Sequence, residues 1–265
     1  MLIKSILDFL FPRYCEMCNE RLSVEQSVIC NKCYEDLPRT MWWKKRNPLN
    51  NKYRPDDIIF QETNDRKGII TEETKVVSNP FTENDLAKRL HGRADVERAM
   101  SFIKYVPKSR SAQLVYGFKY YDKPFIAQYL GEMMGGELNE VGFYDGIDYL
   151  VPLPISKKRK EKRGYNQSYE LAKGISKITR IPVADNIIKR NVFVQSQTKL
   201  DSVGRMENIA GVFSLGKNCD SISNKHILLV DDIITTGATV IECCSILKKI
   251  QGIKISVLSL GFVGL

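Results

Sequence analysis

The stretch from Ile227 to Val240 constrains the fold of this chain more than any other segment. It opens with four apolar residues, which is typical of a buried central strand in a parallel sheet. Two adjacent aspartates, Asp231 and Asp232, come next, and the sequence Thr-Thr-Gly-Ala-Thr then leads into a helical pattern. A strand followed directly by a loop and a helix is the repeating unit of α/β proteins, so the stretch predicts an α/β fold.

The rest of the chain supports an alternation of strands and helices. Strand patterns occur at residues 147–151, 187–194, 212–215 and 253–262. Helical patterns occur at residues 85–90, 94–105, 111–116, 123–138, 169–178 and 240–250. The alternation predicts a largely parallel sheet flanked by helices.

The acidic pair and the loop after it have the composition of a phosphate site. Ligands of open α/β sheets bind at the carboxyl ends of the strands, where Asp231 and Asp232 are expected. Thr235–Thr239 offers hydroxyls and backbone N–H groups, Gly237 permits a tight turn, and the next helix directs its positive end at the loop. A phosphate monoester fits this arrangement. The alternative is that the aspartates only cap the helix.

This order of parts closely resembles the phosphoribosyl pyrophosphate (PRPP) motif of type I phosphoribosyltransferases. The resemblance implies that Asp231 and Asp232 contact the ribose 2- and 3-hydroxyls. It also implies that the 5-phosphate is wrapped by Thr235, Thr236, Gly237, Ala238 and Thr239. Mg²⁺ is expected between pyrophosphate and the ribose hydroxyls, since this ion usually binds through substrate phosphates and few protein ligands.

Four of the seven cysteines form a pattern: Cys15, Cys18, Cys30 and Cys33 make two C-x-x-C pairs. Two such pairs can supply four thiolates to a tetrahedral Zn²⁺, which would be structural because no coordination position stays open. A redox pair or disulfides are the weaker alternatives, because the segment has no βαβ pattern and no secretory signal precedes it.

A basic run at residues 157–163 contains six basic residues and one glutamate, within a chain of net charge +9. It follows a predicted strand, so Lys157, Lys158 and Arg159 are candidates for binding an anion. Three interpretations stay open: the pyrophosphate of a small substrate, nucleic-acid phosphates, or a solvated basic loop.

Several further motifs together resemble the ComF family of phosphoribosyltransferase-like proteins, which is linked to DNA uptake in natural transformation. They are the four-cysteine module, Tyr116–Tyr120, Val151–Pro154, Arg163–Ser168, Arg190, Gln197, Arg205 and Asn208. The resemblance implies a type I phosphoribosyltransferase fold with an N-terminal zinc module. It also implies a pyrophosphate loop at Ser156–Arg163 and a flexible loop at Gln195–Asn208, in which Arg205 contacts pyrophosphate. Val194 departs from the threonine expected in that region.

We therefore expect three parts: an N-terminal helix with the zinc module at 1–46, a linker or insert at 47–90, and a phosphoribosyltransferase-like domain at 91–265. No run approaches the roughly 18 apolar residues of a membrane span, which favours a cytoplasmic protein. The leading hypothesis is a protein that binds PRPP or a nucleotide with Mg²⁺, with phosphoribosyl transfer as its candidate reaction. The alternatives are a single-stranded-DNA-binding protein, in which Trp42 and Trp43 act together with the basic run, or an adaptor for a helicase or recombination protein.

Overall fold

The computed structural model describes residues 9–40, 81–191 and 211–264. Four parallel strands form the central sheet: β1 (Arg98–Lys104), β2 (Tyr149–Pro152), β5 (His226–Ile234) and β6 (Lys254–Phe262). Their order across the sheet is β1-β6-β5-β2. A second, antiparallel sheet pairs β3 (Ile188–Arg190) with β4 (Phe213–Leu215). The predicted parallel α/β architecture is confirmed.

Seven α-helices and a short 3₁₀ helix (Cys219–Ile222) lie in the described part of the chain. The α-helices are α1 (Asn31–Glu35), α2 (Asp85–Leu90), α3 (Ala112–Tyr120), α4 (Pro124–Asn139), α5 (Lys157–Arg163), α6 (Gln167–Thr179) and α7 (Ala238–Leu247). None of the helices within these ranges is long and apolar enough to cross a membrane. Most of the expected N-terminal helix, both tryptophans, most of the 47–90 insert and the Gln195–Asn208 loop with Arg205 fall outside the described residues.

The two faces of the sheet bury alternate residues of the central strands. Leu228 and Val230 of β5 pack with α4 and α6 on one face. Ile227 and Leu229 pack with α2 and α7 on the other. Because both faces are covered, the strands are apolar at nearly every position, as parallel strands generally are.

Two expectations about local structure were wrong. Residues 98–104 form strand β1 inside the segment predicted to be helical. Helix-forming residues such as Ala99 and Met100 are fully buried there between two layers of helices, so tertiary packing overrides their intrinsic preference. The expected basic loop is helix α5, which begins where the Ser156 side chain accepts a hydrogen bond from the backbone N–H of Arg159.

Helices α4 and α6 cross at two glycines. A Cβ added to Gly174 would lie 2.1 Å from the carbonyl oxygen of Gln128, and one added to Gly131 would lie 2.2 Å from that of Leu171. The backbones therefore touch where any larger residue would separate them. This contact holds α6, which carries part of the site, against the body of the molecule.

The cysteine module packs directly on the main sheet and its helices. Its apolar residues, including Met17 and Leu22, belong to the same buried cluster as Phe102 and Leu130. Arg39 forms an ion pair with Glu137 of α4, with 2.6 Å between its Nη2 and Oε1. The backbone around Arg39 also pairs with the outer edge of β1. The module and the domain therefore share one core.

Candidate phosphoribosyl site

The acidic pair lies where β5 extends past its neighbour. The pairing of β2 with β5 ends at Pro152, opposite Val230, while β5 continues to Ile234 beside β6. Asp231 and Asp232 are therefore the last part of a strand rather than a loop, and they lie beyond the end of β2. Both are half-buried. This is the carboxyl edge of the sheet, where the sequence predicted them.

The Asp231 side chain is held by the backbone of the next residue and by helix α6. Its Oδ1 accepts hydrogen bonds from the backbone N–H of Asp232 at 2.8 Å and from the Ser168 hydroxyl at 3.1 Å. Asn166 positions that hydroxyl, because its side chain accepts from the N–H of Ser168 and donates to the carbonyl of Leu153 at the end of β2. Burial, followed by the charge of Asp232, raises the pKa of Asp231 to about 7.

Asp232 is paired with a lysine that we did not identify from the sequence as a site residue. Its Oδ1 accepts from the N–H of Ile233, and its Oδ2 lies 2.9 Å from Lys119 Nζ. The two side chains are 15% and 16% exposed, so the pair is largely shielded from solvent. Lys119 lies in the last turn of α3, inside the Tyr116–Tyr120 motif, and that position was the only sequence signal for it.

The threonine loop connects β5 to α7. Thr235 and Thr236 are exposed, Thr239 is half-buried, and the helix begins at Ala238. Gly237 precedes the helix with φ +78°, a conformation that residues with a Cβ rarely adopt. The ten-residue helix α7 therefore directs its N-terminus at a turn with exposed hydroxyls, the arrangement expected of an anion site.

The basic helix divides into an outer and an inner part. Lys157, Lys158 and Arg159 are exposed. Of these three, only Lys157 forms an ion pair with a described residue, with 3.9 Å between its Nζ and Glu161 Oε1. Lys162 and Arg163 instead line a cavity of about 360 Å³. The other lining residues are Phe118, Lys119, Tyr120, Asp122, Gly164 and Tyr165. The structure thus brings Lys119, Lys162 and Arg163 together at one cavity, and Lys119 in turn contacts the acidic pair.

The four cysteines form the cluster predicted from their spacing. Their sulfur atoms all lie within 4.8 Å of one another, and Cys18 Sγ is 3.7 Å from Cys30 Sγ. A tetrahedral zinc with Zn–S bonds of about 2.3 Å needs sulfur atoms about 3.8 Å apart. Backbone N–H groups of Cys30 and Cys33 donate to Cys15 Sγ and Cys30 Sγ, which suits thiolates. This donor set fits a structural zinc ion.

Comparison with known proteins agrees with these features. A model of the phosphoribosyl transferase domain matches residues 161–260, which include the acidic pair and the threonine loop. Competence protein F of Haemophilus influenzae is 34% identical over 112 residues, which are 42% of this chain and 49% of that protein. Competence protein ComFC of Bacillus subtilis is 34% identical over 90 residues, which are 34% of each chain.

DNA utilization protein YhgH of Escherichia coli is 25% identical over 156 residues, which are 58% of this chain and 66% of that protein. The chain thus spans about half the length of the first of these relatives and a third of the second. The matched domain, the parallel sheet and the four-cysteine cluster give the molecule a type I phosphoribosyltransferase-like fold with an N-terminal cysteine module. These similarities support an assignment of the chain to the ComF family, which its sequence motifs resemble.

Proposed function

We propose that this protein binds PRPP, or the 5-phosphate end of a nucleotide, together with Mg²⁺, and that it acts in the cytoplasm in DNA uptake. One observation carries the proposal: two carboxylates near the carboxyl end of β5 stand shortly before a threonine turn and the N-terminus of α7. That spacing provides acceptors for ribose hydroxyls and donors for a terminal phosphate within one short segment. The names of the curated relatives support the link to DNA uptake.

In this proposal the protein orients the sugar and stabilises charge. Asp231 and Asp232 accept hydrogen bonds from the 2- and 3-hydroxyls and favour positive charge on the ring as pyrophosphate leaves. Ser168 and the backbone N–H groups of Asp232 and Ile233 keep the carboxylates in place. The site residues are oxygen-rich and suit Mg²⁺, which would neutralise pyrophosphate when bound. Group transfer to an acceptor is the reaction that this arrangement supports.

Titration with PRPP in the presence of Mg²⁺ tests the proposal. We expect saturable binding to the wild-type protein and binding at least about tenfold weaker, or about 1.4 kcal/mol, for Asp231→Asn. Asparagine keeps the shape and an acceptor for Ser168 but removes the negative charge. Asp145→Asn is the matched control, since Asp145 is exposed and outside the site. Wild-type protein that binds neither PRPP nor a nucleoside 5-monophosphate in the same titration would contradict the proposal.

A second candidate function, binding of single-stranded DNA, is favoured by one feature of the surface. Tyr120 and Tyr121 are 60% and 67% exposed, and the Arg163 guanidinium lies 5.5 Å from the centre of the Tyr120 ring. Exposed rings beside a basic helix match the combination of base stacking and phosphate neutralisation used by single-strand binders. This function could coexist with a phosphoribosyl site.

The salt dependence of DNA affinity tests whether the basic helix α5 contacts the DNA. Replacing Lys157, Lys158 and Arg159 by glutamine should weaken binding. It should also reduce the slope of log K against log salt by about two, because each contact to a single-strand phosphate releases about 0.7 of a counterion and three contacts are lost. The control replaces three other exposed basic residues, which lie on α6 and at its end: Lys173, Lys177 and Arg180. Equal slopes for both triple variants would remove α5 from the DNA-binding surface.

A further inference from the structure

The pairing of Lys119 with Asp232 places a positive charge inside the candidate site before any ligand arrives. The ammonium and the carboxylate are 2.9 Å apart and mostly shielded from solvent, so their attraction is weakly screened. Both oxygens of Asp232 then have a partner, Ile233 N–H on one and Lys119 on the other. A ribose hydroxyl that bonds to Oδ2 of Asp232 would therefore have to share this oxygen with Lys119 or displace the lysine.

The Lys119 ammonium can also interact with an anion in the adjacent cavity. The lysine lines the cavity of about 360 Å³ that also contains Lys162 and Arg163. Three cationic side chains and one carboxylate, that of Asp122, therefore border this space. A multiply charged anion that entered it would attract the ammonium away from Asp232.

Packing and hydrogen bonding of helix α3 fix the backbone position of Lys119, while its side chain can still reorient. Phe118 is fully buried, and its carbonyl accepts a hydrogen bond from the Tyr165 hydroxyl, which ties the last turn of α3 to the segment after α5. Gly117 is packed against Ile126. The last turn of α3 therefore holds Lys119 between Asp232 and the cavity.

We propose that Lys119 is the built-in counter-ion of the acidic pair: it neutralises Asp232 in the free protein and moves to the leaving-group phosphates when a phosphoribosyl ligand takes its place. The inference rests on the proposed function, because the exchange is with such a ligand. It has two consequences. A divalent cation alone binds poorly to the free site, and the metal enters together with the phosphates of the ligand.

Two simple probes test the two ends of the exchange separately. The first is Mn²⁺ alone, followed by the electron paramagnetic resonance signal of the free ion. Lys119→Met should bind Mn²⁺ at least about tenfold more tightly than wild type, because a unit positive charge is removed beside the carboxylates. The second is pyrophosphate alone, measured by calorimetry, which Lys119→Met should bind about tenfold more weakly.

The controls distinguish a counter-ion from a merely structural lysine. Lys119→Arg keeps the charge and should retain the weak Mn²⁺ binding of wild type. Lys177→Met removes a lysine from an exposed pair with Glu132 on another surface and should change neither probe. Asp232→Asn releases Lys119 and should strengthen pyrophosphate binding several-fold, which gives a reading even where Lys119→Met folds poorly.

Affinities of Lys119→Met for Mn²⁺ and pyrophosphate within twofold of wild type would overturn the inference, as would a loss of affinity for both. The Mn²⁺ measurement contains no phosphoribosyl compound. A wild-type protein that binds neither PRPP nor a nucleoside 5-monophosphate, alongside a variant that gains Mn²⁺ affinity, would therefore refute the proposed function and leave the counter-ion role standing.

Discussion

At the scale of single residues, the two aspartates of the site are chemically unequal. Asp232 forms an ion pair with a lysine, whereas Asp231 accepts hydrogen bonds from a hydroxyl and a backbone N–H. Burial and the neighbouring charge raise the pKa of Asp231 to about 7. The free site therefore holds one paired carboxylate and one that gains a proton near neutral pH. Ligand binding at low pH should weaken as Asp231 becomes protonated.

The raised pKa of Asp231 predicts how stability depends on pH. Because the folded pKa lies above the value of about 3.9 in an unfolded chain, the folded state binds more protons between pH 4 and 7. This group therefore lowers the free energy of unfolding as pH rises through that range, by up to about 4 kcal/mol for a shift of this size, and leaves it flat above pH 7. Urea denaturation of wild type and Asp231→Asn at pH 5 and pH 8 checks the expectation.

Asparagine cannot titrate, so Asp231→Asn should lose this part of the pH dependence and gain stability relative to wild type at pH 8. Asp145→Asn again serves as the exposed control and should follow wild type at both pH values. If the free energy of unfolding changes by the same amount between pH 5 and pH 8 in wild type and in Asp231→Asn, the pKa of Asp231 is not raised.

At the scale of helices and strands, the site was predictable where neighbouring residues in the chain carry it. The strand, acidic pair, turn and helix from Ile227 to Leu247 follow one another directly, so their pattern predicted the edge of the sheet and the turn. Lys119 and Ser168 reach the same place from α3 and α6, and no local pattern predicts that approach. Strand β1 was missed because its residues suit a helix and only burial on both faces makes it a strand.

The crossing of α4 and α6 predicts a large effect of one added methyl group. Gly174→Ala would bring its Cβ within 2.1 Å of the Gln128 carbonyl oxygen, so the helices must separate. We expect a loss of about 3 kcal/mol in the free energy of unfolding, at the upper end for overpacked cores. Chemical denaturation measures it.

Gly136→Ala is the matched control, because Gly136 also lies in α4 and a Cβ there would meet nothing within 4 Å. That change should stabilise the protein by about 0.5–1 kcal/mol through the lower entropy of the unfolded chain. Two variants of equal stability would mean that the helices tolerate separation.

At the scale of the whole molecule, the cysteine module and the domain share one core. Met17, Leu22 and Val28 belong to the buried cluster that includes Phe102 and Leu130. Lys123 Nζ lies 2.7 Å from Glu16 Oε2 and adds a polar tie across the boundary. Sequence separates the module clearly by its cysteines, but sequence alone does not show which surface of the domain covers its apolar side.

The shared core predicts that disruption of the four-cysteine cluster affects the entire fold. Cys33→Ser should lower the midpoint of a single thermal transition, with a cost of at least about 3 kcal/mol, because structural zinc contributes folding free energy directly. Differential scanning calorimetry resolves whether one transition moves or two appear. Cys219→Ser, a half-buried cysteine outside the cluster, should change stability by less than about 0.5 kcal/mol.

A separate early transition in Cys33→Ser, with the main transition unmoved, would show instead that the module melts on its own.

The segment after the cysteines also covers the outermost strand of the sheet. Thr40 N–H donates to the Phe102 carbonyl, and Lys104 N–H donates to the Pro38 carbonyl. A chain shortened to begin after Thr40 would leave these peptide groups of β1 without hydrogen-bond partners. Unpaired edge strands tend to pair with strands of other molecules. Removal of the N-terminal segment should therefore produce self-associating protein rather than an isolated, monomeric domain.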